Sequence, residues 1–162
     1  MTRDHAGCCG HADRGDGMAK PADRLAFTPS SQDLLPGGEH RCNIWQGPFP
    51  TINTIEDGYL GAAPVHAYHP NGDGLHNVVG NVWEWCEDGF SASYHAETAG
   101  HDPLMTTPAA RRALRGGSFL CHESYCDRYR VAARSSNTFD SSSSNIGFRV
   151  AQSPVSAARN QA

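Results

Sequence analysis

Asn77-Val78-Val79-Gly80-Asn81-Val82-Trp83-Glu84-Trp85 reads as a strand interrupted at Gly80. Val and Trp favour a pleated, half-buried surface, and a glycine inside such a run marks a bulge or the close approach of another backbone segment. Working outward, Ile146-Gly147-Phe148-Arg149-Val150 alternates in polarity and closes the apolar part of the chain, as an inner strand would. Arg130-Val131-Ala132-Ala133-Arg134 is a third strand candidate, and Ala109 to Arg115 predicts a helical turn that Gly116-Gly117 ends. No stretch sustains a period of 3.6 residues. The pattern predicts an α+β domain with much irregular structure and a small antiparallel sheet.

Composition narrows the function classes. The 162 residues carry 13 Lys+Arg against 17 Asp+Glu, a net charge of −4, which is a poor match for a phosphate backbone and argues against nucleic acid as a partner. No apolar run reaches the length of a membrane span, and Met1 to Leu25 shows no signal-peptide pattern. Large aliphatic residues are sparse, whereas there are 17 Gly and 10 Pro. The 3 Trp, 5 Tyr and 6 Phe therefore predict a core carried by aromatic side chains. A chain of this kind needs bound ions or crosslinks to offset its ordering entropy. Residues 1–40 read as a mobile low-complexity arm, 41–151 as the folded domain and 152–162 as a flexible tail.

Six cysteines stand at 8, 9, 42, 86, 121 and 126. Without a signal peptide they read as thiols rather than as a disulfide framework. Cys8-Cys9, with His5 and His11 nearby, reads as an exposed pair or a weak metal site. Gly116-Gly117-Ser118-Phe119-Leu120-Cys121-His122-Glu123-Ser124-Tyr125-Cys126 places two thiols five residues apart after a backbone that Gly117 lets bend. That is neither zinc-knuckle nor thioredoxin spacing. The pair reads either as a local disulfide or as two facing thiolates, which select Cu(I) among biological metals.

Three stretches together resemble the C-terminal half of the formylglycine-generating enzymes, the sulfatase-modifying factor family. They are Asn43-Ile44-Trp45-Gln46-Gly47 with Asp57-Gly58-Tyr59, then Gly80 to Trp85, then Gly116 to Cys126 running on to Arg149. The resemblance covers about residues 41–151 and implies a C-type-lectin-like, sulfatase-modifying factor fold, truncated on its N-terminal side. It implies a copper-dependent oxidase that uses O2 to convert the cysteine of a Cys-x-Pro-x-Arg segment in a client sulfatase polypeptide to Cα-formylglycine. Cys121 and Cys126 would hold Cu(I), Ser118 and Trp83 would line the oxygen and thiol pocket, and Tyr125, Arg134 and Asn145 would contact substrate. Two Ca2+ sites are implied as well: Asn43, the Ile44 carbonyl, Asp57 and the Tyr59 carbonyl; and Asn77, the Gly80 and Val82 carbonyls, and Glu84. Mixed carboxylate, amide and carbonyl oxygens suit that hard ion.

Family members are longer on the N-terminal side, where acidic residues for the substrate arginine lie, and residues 1–40 hold no replacement. A complementing chain or self-association is therefore expected. Val131 and Val150 stand where some relatives form disulfides, which implies a reducing, cytoplasmic setting. The alternative to the oxidase is a truncated, catalytically inactive lectin-like binding module of the same fold.

Overall fold

The computed structural model describes residues 34–97, 104–105, 109–130 and 132–152. Four strands form one sheet in the order β3-β2-β1-β4: β1 is Trp83–Gly89, β2 Arg111–Arg115, β3 Ser135–Thr138 and β4 Ile146–Gly147. One short helix, α1, spans Tyr94–Glu97. Apart from Leu34, which is helical, and a 3-10 turn at Pro36–Gly38, everything else described is turn and irregular chain.

The interrupted strand begins later than its sequence suggests. Asn77 (φ 53°), Gly80 (φ 71°) and Asn81 (φ 61°) are left-handed, a conformation that Asn and Gly adopt at low cost and that breaks an extended run. The strand therefore starts at Trp83. Gly80 instead marks the close approach of another segment: a Cβ there would lie 2.3 Å from the Asn43 carbonyl oxygen. Asn81 N donates to that same oxygen at 2.7 Å, and Asn43 and Gly80 form an isolated parallel bridge.

Two further expectations are corrected. The Ala109–Arg115 stretch is strand β2, not a helical turn, because it is paired on both sides. Trp85 opposes Leu114 on β1, and Ala113 opposes Ser136 on β3, a tertiary pairing that overrides the helical propensity of Ala, Leu and Arg. Arg130–Arg134 is not a strand; Ala133 N closes a turn on Arg130 O at 2.9 Å, and the ladder starts at Ser135 (Val131 lies outside the described residues).

Nor is the sheet wholly antiparallel. β1 pairs with β2, and β2 with β3, antiparallel, but β4 runs parallel to β1 with Trp83 opposite Ile146. β4 is an edge strand rather than an inner one. Beyond it Phe148 and Val150 face solvent, while Arg149 turns in to pair with the buried Glu84 through Nη2–Oε1 (2.5 Å) and Nε–Oε2 (3.0 Å). The alternation is real; the side chain that turns inward is the charged one.

Trp83, Leu114, Cys121 and Tyr129 make the buried core, with Ile44, Trp85, Cys126 and Ile146 packed around it. Leu34, which composition groups with the arm, packs there too. The core thus sits at the N-terminal end of β1, where three loops converge. Residues 1–33, with Cys8 and Cys9, and 153–162 lie outside the described residues. Among those described, no helix is long and apolar enough to cross a membrane.

Candidate functional site

The thiol loop grows out of two glycines. Gly116 (φ 85°) and Gly117 (φ 75°) turn the chain sharply off β2, and Gly117 runs so close to Tyr129 that a Cβ would meet its Cα at 2.9 Å. Successive turns follow: Cys121 N donates to Ser118 O at 2.9 Å, and Cys126 N to His122 O at 2.8 Å. These folds bring Cys121 Sγ and Cys126 Sγ to 3.1 Å. Both are free thiols, Cys121 buried and Cys126 half-buried, so the disulfide reading does not describe this state. Cys42 and Cys86 are buried as well.

Around the pair, Ser118 is fully buried. Its backbone N–H donates to Cys121 Sγ at 3.4 Å, and its Oγ accepts from Leu120 N (3.3 Å) and Asn145 Nδ2 (3.1 Å). Asn145 is itself fixed: Ser143 Oγ donates to its Oδ1 at 2.6 Å, and Trp83 N donates to its carbonyl at 2.8 Å. Cys121, Cys126, Ser118, Asn145 and Trp83 therefore form one connected cluster. Burial, and then the contact with Cys126, push the Cys121 thiol up to about 12, while hydrogen bonds from Ser118 oppose the shift. At neutral pH the Cys121 thiol keeps its proton until something replaces it.

Tyr125 lies at the rim, 75% exposed, and stacks on Phe49 at 4.8 Å between ring centroids. Phe49 also stacks on His122 and meets Trp45 edge-on. The sequence reading missed Phe49, which lies more than seventy residues upstream in an unpatterned loop. Arg134 is placed differently: its guanidinium sits 3.6 Å over the Tyr94 ring, in the helix that follows β1 rather than beside Trp83 at its start. A pocket of about 200 Å³ opens beside the thiol loop, lined by Cys42, Trp45, Gln46, His122 and Tyr129 among others. Its lining does not include Cys121 or Cys126.

The two expected calcium sets each contain one anomaly of the same kind. Among the described residues, two buried side-chain acceptors lack a hydrogen-bond partner: Asn43 Oδ1 and Asn77 Oδ1. Leaving a buried acceptor unmet costs roughly 1–3 kcal/mol. Both amide nitrogens are engaged, Asn43 Nδ2 with Gly61 O (2.7 Å) and Asn81 Oδ1 (3.2 Å), Asn77 Nδ2 with Pro64 O (3.3 Å) and Val65 O (3.0 Å). The first set adds Asp57, buried, whose Oδ1 accepts from Tyr59 N at 3.0 Å and whose Oδ2 accepts from Ile44 N at 3.2 Å. The second adds Glu84, whose carboxylate retains lone pairs beyond those that Arg149 takes. Surplus oxygen acceptors without donors fit a hard cation. Two facing soft sulfurs fit Cu(I).

The loops are also tied to one another. Trp45 N, in the loop of the first expected calcium set, donates to Cys121 O at 3.0 Å. Gly80 N, in the second, donates to Gly116 O, and Phe119 N to Asn81 O, both at 2.8 Å.

The profile of the sulfatase-modifying factor enzyme 1-like domain matches residues 14–154. The chain belongs to this family. Within the sulfatase-modifying factor family, the formylglycine-generating enzyme of Streptomyces coelicolor is 65% identical over 119 residues, which are 74% of this chain and 38% of that protein. The inactive C-alpha-formylglycine-generating enzyme 2 of Bos taurus is 42% identical over 115 residues, 69% of this chain and 34% of that one. The chain thus spans little more than a third of the length of these curated relatives. Among solved structures, PvdO from Pseudomonas aeruginosa superposes with a TM-score of 0.52 at 21% identity, over 82% of this chain and 50% of that one, a likeness of fold alone. The fold is the mostly sheet, loop-rich C-type-lectin-like architecture of the sulfatase-modifying factor family.

Proposed function

We propose that this chain carries the metal-binding part of a formylglycine-generating oxidase, which converts the cysteine of a Cys-x-Pro-x-Arg segment in a sulfatase polypeptide to Cα-formylglycine with O2. The observation that carries this reading is the 3.1 Å approach of Cys121 and Cys126 inside a cluster with Ser118, Asn145 and Trp83. Cys121 and Cys126 would hold Cu(I), losing their protons as they do so. Bound copper would supply the one-electron chemistry that O2 requires. Ser118 keeps the Cys121 sulfur in place, Asn145 orients the Ser118 hydroxyl, and the Trp83 wall excludes water. The exposed Tyr125 ring, backed by Phe49, offers an apolar face to the client proline. The two Ca2+ ions would fix the loops that carry this cluster, in a reducing, cytoplasmic setting. A complementing chain, or a second copy, would add the rest of the client groove.

The test is turnover of a Cys-x-Pro-x-Arg peptide in air with Cu(I), calcium and a reductant, followed by mass spectrometry beside a Cys121→Ser control. Conversion of thiol to aldehyde by the wild type alone is expected. Copper binding without conversion would favour the second reading, a non-catalytic lectin-like module stabilised by calcium. One observation supports that alternative, the likeness to an inactive relative over much the same region.

A further inference from the structure

Gln46 stands in the first of the quoted stretches with no role assigned, yet its side chain is bonded to members of the first expected calcium set. Its Nε2 donates to the Ile44 carbonyl oxygen and, at 3.0 Å, to Asp57 Oδ2, two of the oxygens assigned to the ion. Its Oε1 accepts from Asp57 N at 3.3 Å. Chemistry decides the orientation of the amide: reversed, its oxygen would face two acceptors and its NH2 would face the Asp57 N–H. The residue is also pinned at its backbone. Gln46 N donates to Asn53 Oδ1 at 3.4 Å, and Thr54 N donates to Gln46 O at 3.0 Å. A neutral donor with a partial positive charge thus sits between a carbonyl and a carboxylate oxygen of that set. The third oxygen of the set, Asn43 Oδ1, stays unpartnered.

We infer that Gln46 is an internal competitor for the first calcium site, an inference that rests on the calcium reading of Asn43, Ile44 and Asp57. Its NH2 takes up Ile44 O and Asp57 Oδ2, so these two contacts and calcium binding compete for the same oxygens. The competitor has two effects of opposite sign. It keeps the loop shaped without the ion, and it lowers the affinity for the ion. A residue that merely braced the loop would, when removed, weaken both the metal-free fold and the binding of calcium.

The experiment uses the full chain, stripped of calcium, with CaCl2 as the titrant in calorimetry and thermal melts recorded with and without it. Asp57→Asn identifies the class of binding that belongs to this site. Gln46→Leu is expected to bind calcium in that class about five- to tenfold more tightly, the equivalent of one net hydrogen bond, and to melt lower without calcium. Gln46→Met serves the same purpose should the leucine variant fail to fold. Unchanged affinity overturns the proposal, and weakened affinity makes Gln46 a brace or a ligand instead. If Asp57→Asn leaves every class of calcium binding intact, the calcium reading of this site fails, and the competitor fails with it.

Discussion

The thiol loop and the loops of the two expected calcium sets are built to opposite plans. In Ser118–Cys126 the polar atoms satisfy one another: sulfur meets sulfur, and the Ser118 backbone and hydroxyl are both engaged. In the Asn43–Tyr59 and Asn77–Glu84 loops a buried acceptor is left over in each. The first arrangement must surrender a proton to take a metal. The second keeps a buried oxygen that no donor meets. The difference teaches that a pair suited to a soft ion and a set suited to a hard one are distinguished by who holds the spare proton or the spare lone pair, as well as by residue type.

That contrast breaks most sharply at the sulfurs. Cys126→Ser is expected to abolish tight Cu(I) binding, a larger loss than the roughly 10- to 100-fold that follows from removing a ligand's outer hydrogen-bond partner. An anaerobic competition titration that finds wild-type affinity would remove Cys126 from the site. Next in size is Gly80→Ala. The new Cβ would collide with the Asn43 carbonyl at a left-handed φ, so a cost of about 3 kcal/mol in urea unfolding is expected, against about 1 kcal/mol for Gly74→Ala, which meets open space. Equal costs would mean that the two calcium loops are not locked together at this point.

The smallest effect sharpens the proton side of the comparison. Burial raises Cys42 to about 12, with the Asp57 charge adding to the shift, and Cys121 rises to about 12 as well. An unfolded thiol loses its proton near 8.5 while the folded one keeps it, so the folded chain binds more protons across the interval. Stability is therefore complete below about pH 8 and falls as pH climbs toward 12, by about 2 kcal/mol per thiol at pH 10. Cys42→Ala should flatten part of that slope. Cu(I) affinity should move the other way and strengthen with rising pH, because the ion displaces a thiol proton.

Much of the site was legible in the sequence, because its residues lie in short contiguous runs with distinctive chemistry. Gly116-Gly117-Ser118 and the two cysteines need only local turns to meet. Gly80 announced a close approach without naming Asn43 as the neighbour. What stayed hidden depends on long-range pairing. Arg111–Arg115 has a helical composition and becomes a strand only because β1 and β3 flank it. The alternation at Ile146–Val150 gave the period but not which face turns inward, since the buried partner of Arg149 is Glu84, 65 residues away. Phe49 and Gln46 escaped for the same reason: their roles are set by where Tyr125 and Asp57 arrive.

The hydrogen bond from Trp45 N to Cys121 O has a practical consequence at the bench. It couples the backbone of a loop suited to calcium directly to the residue suited to copper. A chelator chosen to clear adventitious copper from a preparation would, if it also took calcium, slacken the very turn that sets the spacing of the sulfurs. Copper stoichiometries measured after such a treatment would then report the chelator's selectivity as much as the thiols, so the washing buffer belongs among the variables of any metal titration on this chain.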